Sequence, residues 1–337
     1  GRLLSAARQF GIAPADWLDL SAALNPEPYP VPPVPPSIWL RLPEEEDDLL
    51  VSAAAYYGTT HFLPLPGSQA AIQWLPVLLK EQLFKEQLRV GYVVPTYNEH
   101  PHAWQKAGHT LVPLTAKDID HHTDALDVLV LVNPNNPTGE MYSSIALKRW
   151  HAALSGRGGC LIVDEAFIDA SPEHSLLSMA GIKGLVILRS LGKFFGLAGA
   201  RVGFLFGENS LLEQMRECLG PWSICHPSRY VASAALADTV WQSQQRHRLL
   251  HKSARLCALL SSLGFHPSGG TALFQWVQTD QANLIYNTLA AQGILVRYYE
   301  ETSSVRFGLP ASESDWQRLE CTLMVLAKPI LRSSIYG

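Results

Sequence analysis

Lys193 lies in Arg-Ser-Leu-Gly-Lys-Phe-Phe-Gly-Leu-Ala-Gly-Ala-Arg-Val-Gly, residues 189–203, where its neighbours are apolar or small. Burial in such surroundings disfavours an ammonium, lowers its pKa and makes the amine a nucleophile. A solvated surface lysine is the commoner fate of this residue type. Ser190 and Arg201 supply a hydroxyl and a guanidinium able to hold a phosphate. Asp164 opens Asp-Glu-Ala-Phe directly after Cys-Leu-Ile-Val. A carboxylate at the end of a buried strand is costly unless a cation or donor meets it, and a helix N-cap would answer that need equally well. Asn136 lies in Asn-Pro-Asn-Asn-Pro-Thr-Gly, residues 133–139, after Asp-Val-Leu-Val-Leu-Val. Two Asn-Pro pairs closed by a glycine specify a rigid polar turn. Asp164 and Lys193 stand 29 positions apart. Together they offer an amine for a Schiff base and a carboxylate for a pyridinium nitrogen, the pair that pyridoxal phosphate chemistry requires.

The elements around these segments alternate. Helical patterns are read at residues 45–57 and 68–80. Apolar strands are read at 89–94, 127–132, 160–163, 184–188 and 202–206. Apolar strands separated by helices argue for an α/β layer with a mostly parallel sheet. In such sheets ligands sit beyond the carboxyl ends of the strands, where all three segments fall. A long helix, whole or broken, is read over 228–263 and closes at Gly264. After it, strand-like and helical stretches suggest a smaller α+β lobe. The first 40 residues are rich in proline, and 25–36 in particular cannot be helix or central strand. Three parts are expected: an extended arm over 1–40 that joins the small domain, a large cofactor-binding domain over 41–240, and a small domain over 241–337.

Composition narrows the classes. Charged residues make up 17% of the chain, below the roughly 25% usual for soluble proteins, which points to large buried surfaces such as a subunit interface. The net charge is −4 with no basic stripe, so a nucleic-acid partner is not expected. No run of about 18 apolar residues marks a membrane span. The opening Gly-Arg-Leu-Leu-Ser lacks the zones of a secretion signal, and it has no Met, which suggests processing or a longer gene product. Five scattered cysteines without a CxxC, and twelve histidines without an HExxH, point to reduced thiols in the cytoplasm and no metal centre.

On these motifs the chain resembles the fold-type-I pyridoxal-phosphate enzymes, in the aminotransferase class that includes histidinol-phosphate aminotransferase. The resemblance spans essentially the whole sequence. It implies a large domain with a mostly parallel central sheet and a smaller α+β domain. It also implies roles for single residues. Lys193 would link to the cofactor and later move a proton, and Asp164 would pair with the ring nitrogen. Asn136 would donate to the ring's O3′ oxygen, while Ser190 and Arg201 would hold the phosphate. Pro66-Gly67-Ser68-Gln69 resembles the phosphate loop, with Gly67, Ser68 and Gln69 as contacts at a helix N-terminus. Tyr97 would stack on the ring. Arg306 in Val-Arg-Phe-Gly would clamp a substrate α-carboxylate.

Further segments are similar to the threonine-phosphate decarboxylases of cobalamin biosynthesis: Leu18-Asp19-Leu20-Ser21 with Asn25-Pro26, Arg41-Leu42-Pro43, Pro221-Trp222-Ser223, and Gly269-Gly270-Thr271 with Phe274. That resemblance implies a lyase that turns L-threonine O-3-phosphate into (R)-1-amino-2-propanol O-2-phosphate and carbon dioxide, with Asn25 and Arg306 at the substrate and a homodimer as the working form. An aminotransferase for histidinol phosphate or another amino acid is the alternative. Departures from the pattern are Phe167 and Leu42 where relatives place tyrosines, Gly192 in place of a hydroxyl residue before the lysine, and Cys225 where Asn is frequent. Ser21, Asn25 and Arg297 are candidates for the substrate phosphate.

Overall fold

A computed structural model describes residues 3–333. The chain divides into two compact units. One comprises residues up to 27, 137–139 and from 245 onward; the other comprises 28–136 and 140–244. The proline-rich stretch from Pro28 groups with the larger unit, and the residues before it with the smaller.

The first strand, β1 (Leu18–Asp19), belongs to the smaller unit. The next seven form the sheet of the larger unit: β2 (Phe62–Leu65), β3 (Arg89–Val93), β4 (Thr110–Leu114), β5 (Val128–Val132), β6 (Cys160–Asp164), β7 (Leu185–Ser190) and β8 (Gly203–Phe206). Their order is β2-β8-β7-β6-β5-β3-β4. β8 alone runs against the direction of the other six strands, so the sheet is mostly parallel, as the apolar runs predict. Strands β5 and β6 are buried along their whole length, which explains their unbroken apolar sequence. The helix Ser68–Gln82 lays Ile72, Leu75 and Leu79 against Val90, Val130, Ile162 and Leu205. Each such side chain contributes about 1.5–3 kcal/mol through burial.

The smaller unit holds β9 (Gly269–Thr271), β10 (Phe274–Gln278), β11 (Ile294–Leu295), β12 (Arg297–Tyr299) and β13 (Ser304–Gly308). Four of them form an antiparallel sheet in the order β12-β13-β10-β9, and β11 pairs in parallel with β1. Among the described residues no helix is long and apolar enough to cross a membrane.

Three local readings differ from the structure. Residues Leu3–Phe10 form a helix where an extended arm is expected; the prolines begin only at Pro14, and Ala6 and Ala7 bury against Trp17, Ala290 and Leu295. The helix expected from residue 45 starts at Asp48, because Asp47 is the N-cap and its Oδ1 accepts from Leu49 N at 3.1 Å. The long helix is two, His226–Ala237 and Thr239–Ser262. Asp238 leaves helical geometry between them and caps the second through Trp241 N at 2.9 Å.

Candidate active site

Asp164 ends β6 and sits in register with Val132 at the end of β5 and Leu188 in β7. The segments next along the chain after these strands, residues 133–136, 165–169 and 191–201, therefore emerge side by side from three adjacent parallel strands. Backbone bonds hold them there: Asn133 N donates to Asp164 O at 2.8 Å and Glu165 N to Leu188 O at 2.9 Å.

Asp164 is buried, 3% exposed. Its Oδ1 accepts from Ala166 N at 3.0 Å, and its Oδ2 lies 2.9 Å from His100 Nε2. A carboxylate only accepts, so the hydrogen sits on Nε2 of that imidazole. His100 is itself buried, on the helix Glu99–Lys106. Sequence reading missed it. The pattern around it is that of an ordinary amphipathic turn, and only the fold brings it to the strand end.

Lys193 is half-buried on the segment after β7. Its neighbours Phe194 and Phe195 are fully buried, and both pack on Trp241, the latter stacked at 5.6 Å. Leu191 N donates to Val202 O at 3.1 Å and Leu197 N to Leu191 O at 3.3 Å, which closes the loop that carries the lysine. Lys193 Nζ lies 5.3 Å from the centroid of the Phe167 ring. The loops after β6 and β7 thus meet at these two residues.

Beneath the two loops runs a buried ion network that the sequence did not disclose. Arg189 donates to Glu165 Oε2 at 3.2 Å and to Asp169 Oδ1, and its guanidinium sits 5.2 Å from the Tyr57 ring centroid. Tyr56 donates to Asp169 Oδ1 at 2.8 Å. Burial works against the charge on Arg189, but Asp169 and Glu165 outweigh it and its pKa is raised. Desolvation raises that of Glu165, against the pull of Arg189, Ser175 and Leu176. Removing one member of such a group would strand the others without compensation.

A second cluster sits at the N-terminus of the helix Ser68–Gln82. Leu65, Gly203 and Ser190 are neighbours across β2, β8 and β7. Gly67 has φ +81°; a Cβ there would lie 2.5 Å from Arg201 Nη2, and one on Gly203 would lie 2.5 Å from Ser68 N. Arg201 takes the left-handed conformation, φ 53° and ψ 50°, that turns its guanidinium toward Gly67. Ser190 Oγ accepts from Gly192 N at 3.2 Å, which leaves its O–H to donate. Helix N–H groups, a guanidinium and a hydroxyl around a space kept open by two glycines suit a dianionic phosphate. The side chain of Gln69 is engaged elsewhere, since its Nε2 donates to Glu99 Oε2 at 3.0 Å.

Around the expected Asn136, Asn135 and Asn133 serve the loop itself. Asn135 accepts from Thr96 Oγ1 at 3.1 Å and donates to Pro95 O at 2.9 Å, and Asn133 Oδ1 accepts from Tyr142 N at 2.8 Å. Asn136 is half-buried. Tyr97, 38% exposed, comes after the same Pro95-Thr96 turn with its ring 6.2 Å from that of His100.

In the smaller unit Arg306 lies in β13 between Arg297 of β12 and Trp276 of β10. It is 5% exposed, donates Nη2 to Ser21 O at 2.6 Å and stands over the Phe274 ring at 5.2 Å. Burial lowers its pKa, with Tyr299 opposing and Arg297 adding to the effect. A buried guanidinium of this kind gains from a carboxylate partner. Asn25 is buried, and its Oδ1 accepts from Glu27 N at 2.9 Å and Gln245 Nε2 at 3.0 Å, so that oxygen serves the framework. A cavity of about 230 Å³ in this unit is lined by Ser5, Gln9, Ser21, Tyr286, Arg297 and Tyr298. Among the described residues no group of three or more His, Cys, Asp or Glu side chains is placed to hold a metal ion.

The family model "Aminotransferase class I and II" matches residues 47–319. The chain is 48% identical to the threonine-phosphate decarboxylase of Pseudomonas aeruginosa, with 98% of each chain covered. It is 36% identical to a threonine-phosphate decarboxylase from a Sinorhizobium species, with 95% of each covered. Its fold is similar to the crystal structure of histidinol-phosphate aminotransferase from Sinorhizobium meliloti in complex with pyridoxal-5′-phosphate. There the TM-score is 0.82 at 18% identity, over 98% of this chain and 95% of that one.

Proposed function

The chain belongs to the class I and II aminotransferase family, and on that footing we propose that it is a pyridoxal-phosphate-dependent lyase that decarboxylates L-threonine O-3-phosphate to (R)-1-amino-2-propanol O-2-phosphate, a step of cobalamin biosynthesis. The observation that carries the reading is the near-full-length similarity to two threonine-phosphate decarboxylases. It is joined to a site with the donor set this cofactor needs: an amine, a buried carboxylate on a neighbouring strand, and a phosphate cradle.

When bound, pyridoxal phosphate supplies an aldehyde that takes up amino groups and a ring that accepts the electron pair of a breaking bond. The residues divide the remaining work. Gly67, Ser68, Arg201 and the Ser190 hydroxyl bind its phosphate, with Gln69 beside them. Asp164, aimed by His100 and Ala166 N, would hold a proton on the ring nitrogen. Asn136 would serve the ring oxygen as a donor, and Tyr97 would pack on the ring. Lys193 would be the attachment point for the cofactor, and its amine would hold a proton for the substrate's Cα. Arg306 takes the α-carboxylate in a planar fork. Arg297 is the charged donor for the substrate phosphate; Ser21 shares its cavity, though the Ser21 hydroxyl already donates to Asp19 Oδ1 at 2.6 Å. Asn25 shapes the substrate side from the N-terminal segment.

The protein works as a cytoplasmic homodimer in this reading. Trp39, Leu40, Leu42, Val51 and Trp222 of the larger unit are each more than half exposed, a display of large apolar groups that a second copy would cover.

Incubation of the cofactor-loaded protein with L-threonine O-3-phosphate alone tests the function. Amine phosphate and carbon dioxide should form in equal amounts. Glutamate formed from histidinol phosphate and 2-oxoglutarate, with no carbon dioxide from the first substrate, would establish an aminotransferase instead.

A further inference from the structure

Phe167 is 5% exposed in the loop after β6, and Lys193 Nζ stands 5.3 Å from its ring centroid. The ring is held from both sides in sequence. Ala166 N is bonded to Asp164, Ile168 N donates to Glu165 O at 3.1 Å, and Glu165 and Asp169 are locked by Arg189. An aromatic face carries a negative quadrupole. It attracts an ammonium and does little for a neutral amine.

The two reactions open to this site ask opposite things of the same amine. Amino-group transfer requires the lysine to take the Cα hydrogen as a proton, so the amine must be neutral. Decarboxylation leaves an electron pair at Cα that needs a proton, so the lysine must be an ammonium. We propose that the ring of Phe167 is a tuning residue that biases Lys193 toward its ammonium form, the form that returns a proton to Cα after carbon dioxide leaves, an inference that rests on the reaction assigned above. In the step itself the bond from Cα to the carboxylate carbon breaks. Its electron pair stays on the Cα side, and the carboxylate carbon leaves as carbon dioxide. Lys193 then gives one proton to Cα and is left as a neutral amine, and solvent replaces that proton over the cycle.

The other charged and titratable groups of the surrounding elements include Asp164, Glu165, Asp169, His100, Arg189, Arg201, Tyr56 and Tyr97. They stay constant in a series that changes only the ring. Phenylalanines carrying one, two and three fluorines, placed at position 167 of the full-length chain, weaken the negative face with little change of shape. The readout is the acetylation rate of Lys193 by acetic anhydride, followed by peptide mass spectrometry in the cofactor-free protein. The rate at about pH 8 should rise stepwise and reach roughly threefold to tenfold with three fluorines. Phe167→Tyr keeps the ring and should stay within about twofold of the parent. Phe167→Leu should show the whole effect at once, and the fluorinated series decides the matter if that variant does not fold. In the loaded enzyme the ratio of carbonyl product to carbon dioxide should rise in the same order. A labelling rate that is flat across the series overturns the contact; a parent enzyme that releases no carbon dioxide from L-threonine O-3-phosphate overturns the reaction, and the two failures are read separately.

Discussion

The imidazole of His100 and the carboxylate of Asp164 form a buried pair, Nε2 to Oδ2 at 2.9 Å, with 1% and 3% of the two residues exposed. The pair fixes the direction in which Asp164 presents its remaining lone pairs. His100→Leu should cost about 1–3 kcal/mol of stability by leaving a buried acceptor unmet. It should also lower kcat more than it raises KM. His100→Gln, which keeps a donor, should recover part of both. Chemical denaturation and steady-state kinetics on the two variants check this.

Asp164→Ala should fold and bind cofactor weakly, with turnover reduced about 10²- to 10³-fold or more, since charge stabilisation in a preorganised site is worth several kcal/mol. Near-normal turnover in a folded Asp164→Ala protein would remove Asp164 from the role given to it.

Gly67→Ala puts a methyl 2.5 Å from Arg201 Nη2 at a backbone φ of +81°. Strain of that kind costs about 1–3 kcal/mol. The cofactor affinity of the variant, measured by equilibrium titration, should fall at least about tenfold if the cradle holds the phosphate. An unchanged affinity would place the phosphate elsewhere.

The two arginines of the smaller unit should separate by substrate group. Arg306→Lys should lose kcat/KM for every amino acid, because an ammonium cannot reproduce the planar fork. Arg297→Met should weaken L-threonine O-3-phosphate while leaving the slow reaction of unphosphorylated threonine unchanged. Parallel kinetics with both substrates distinguish the two.

Burial, with a smaller push from Glu208, raises the Cys160 thiol to about 12. The unfolded thiol ionises near 8.5, so the folded state holds this proton more tightly. Its contribution to stability is complete below about pH 8.5 and is lost progressively toward pH 12. Denaturation midpoints of the parent should decline more steeply on the alkaline side than those of Cys160→Ala. Alkylation at neutral pH should modify the exposed Cys225 and Cys321 and spare Cys160 until the chain unfolds.

Much of this site is legible in the sequence because parallel strands buried on both faces appear as apolar runs, and the residues just past such a run lie at a strand end. That logic locates Asn136, Asp164 and Lys193. It fails where partners come from far along the chain. His100 is separated from Asp164 by 64 positions and sits on a helix with no chemical signature. Arg189 carries no signal of its own in the sequence, and only the fold brings Glu165 and Asp169 to it. The helix Leu3–Phe10 is obscured by the prolines downstream of it, and the break at Asp238 depends on a side-chain cap that periodicity does not register.

Lys193 is the residue on which the account depends most, and its proposed attachment to the cofactor can be tested by fixing and locating the bond. The reconstituted protein, reduced with borohydride and mapped by peptide mass spectrometry, should carry the pyridoxyl group on Lys193. A label on any other lysine, or no retained cofactor after reconstitution, would contradict the assignment of this site.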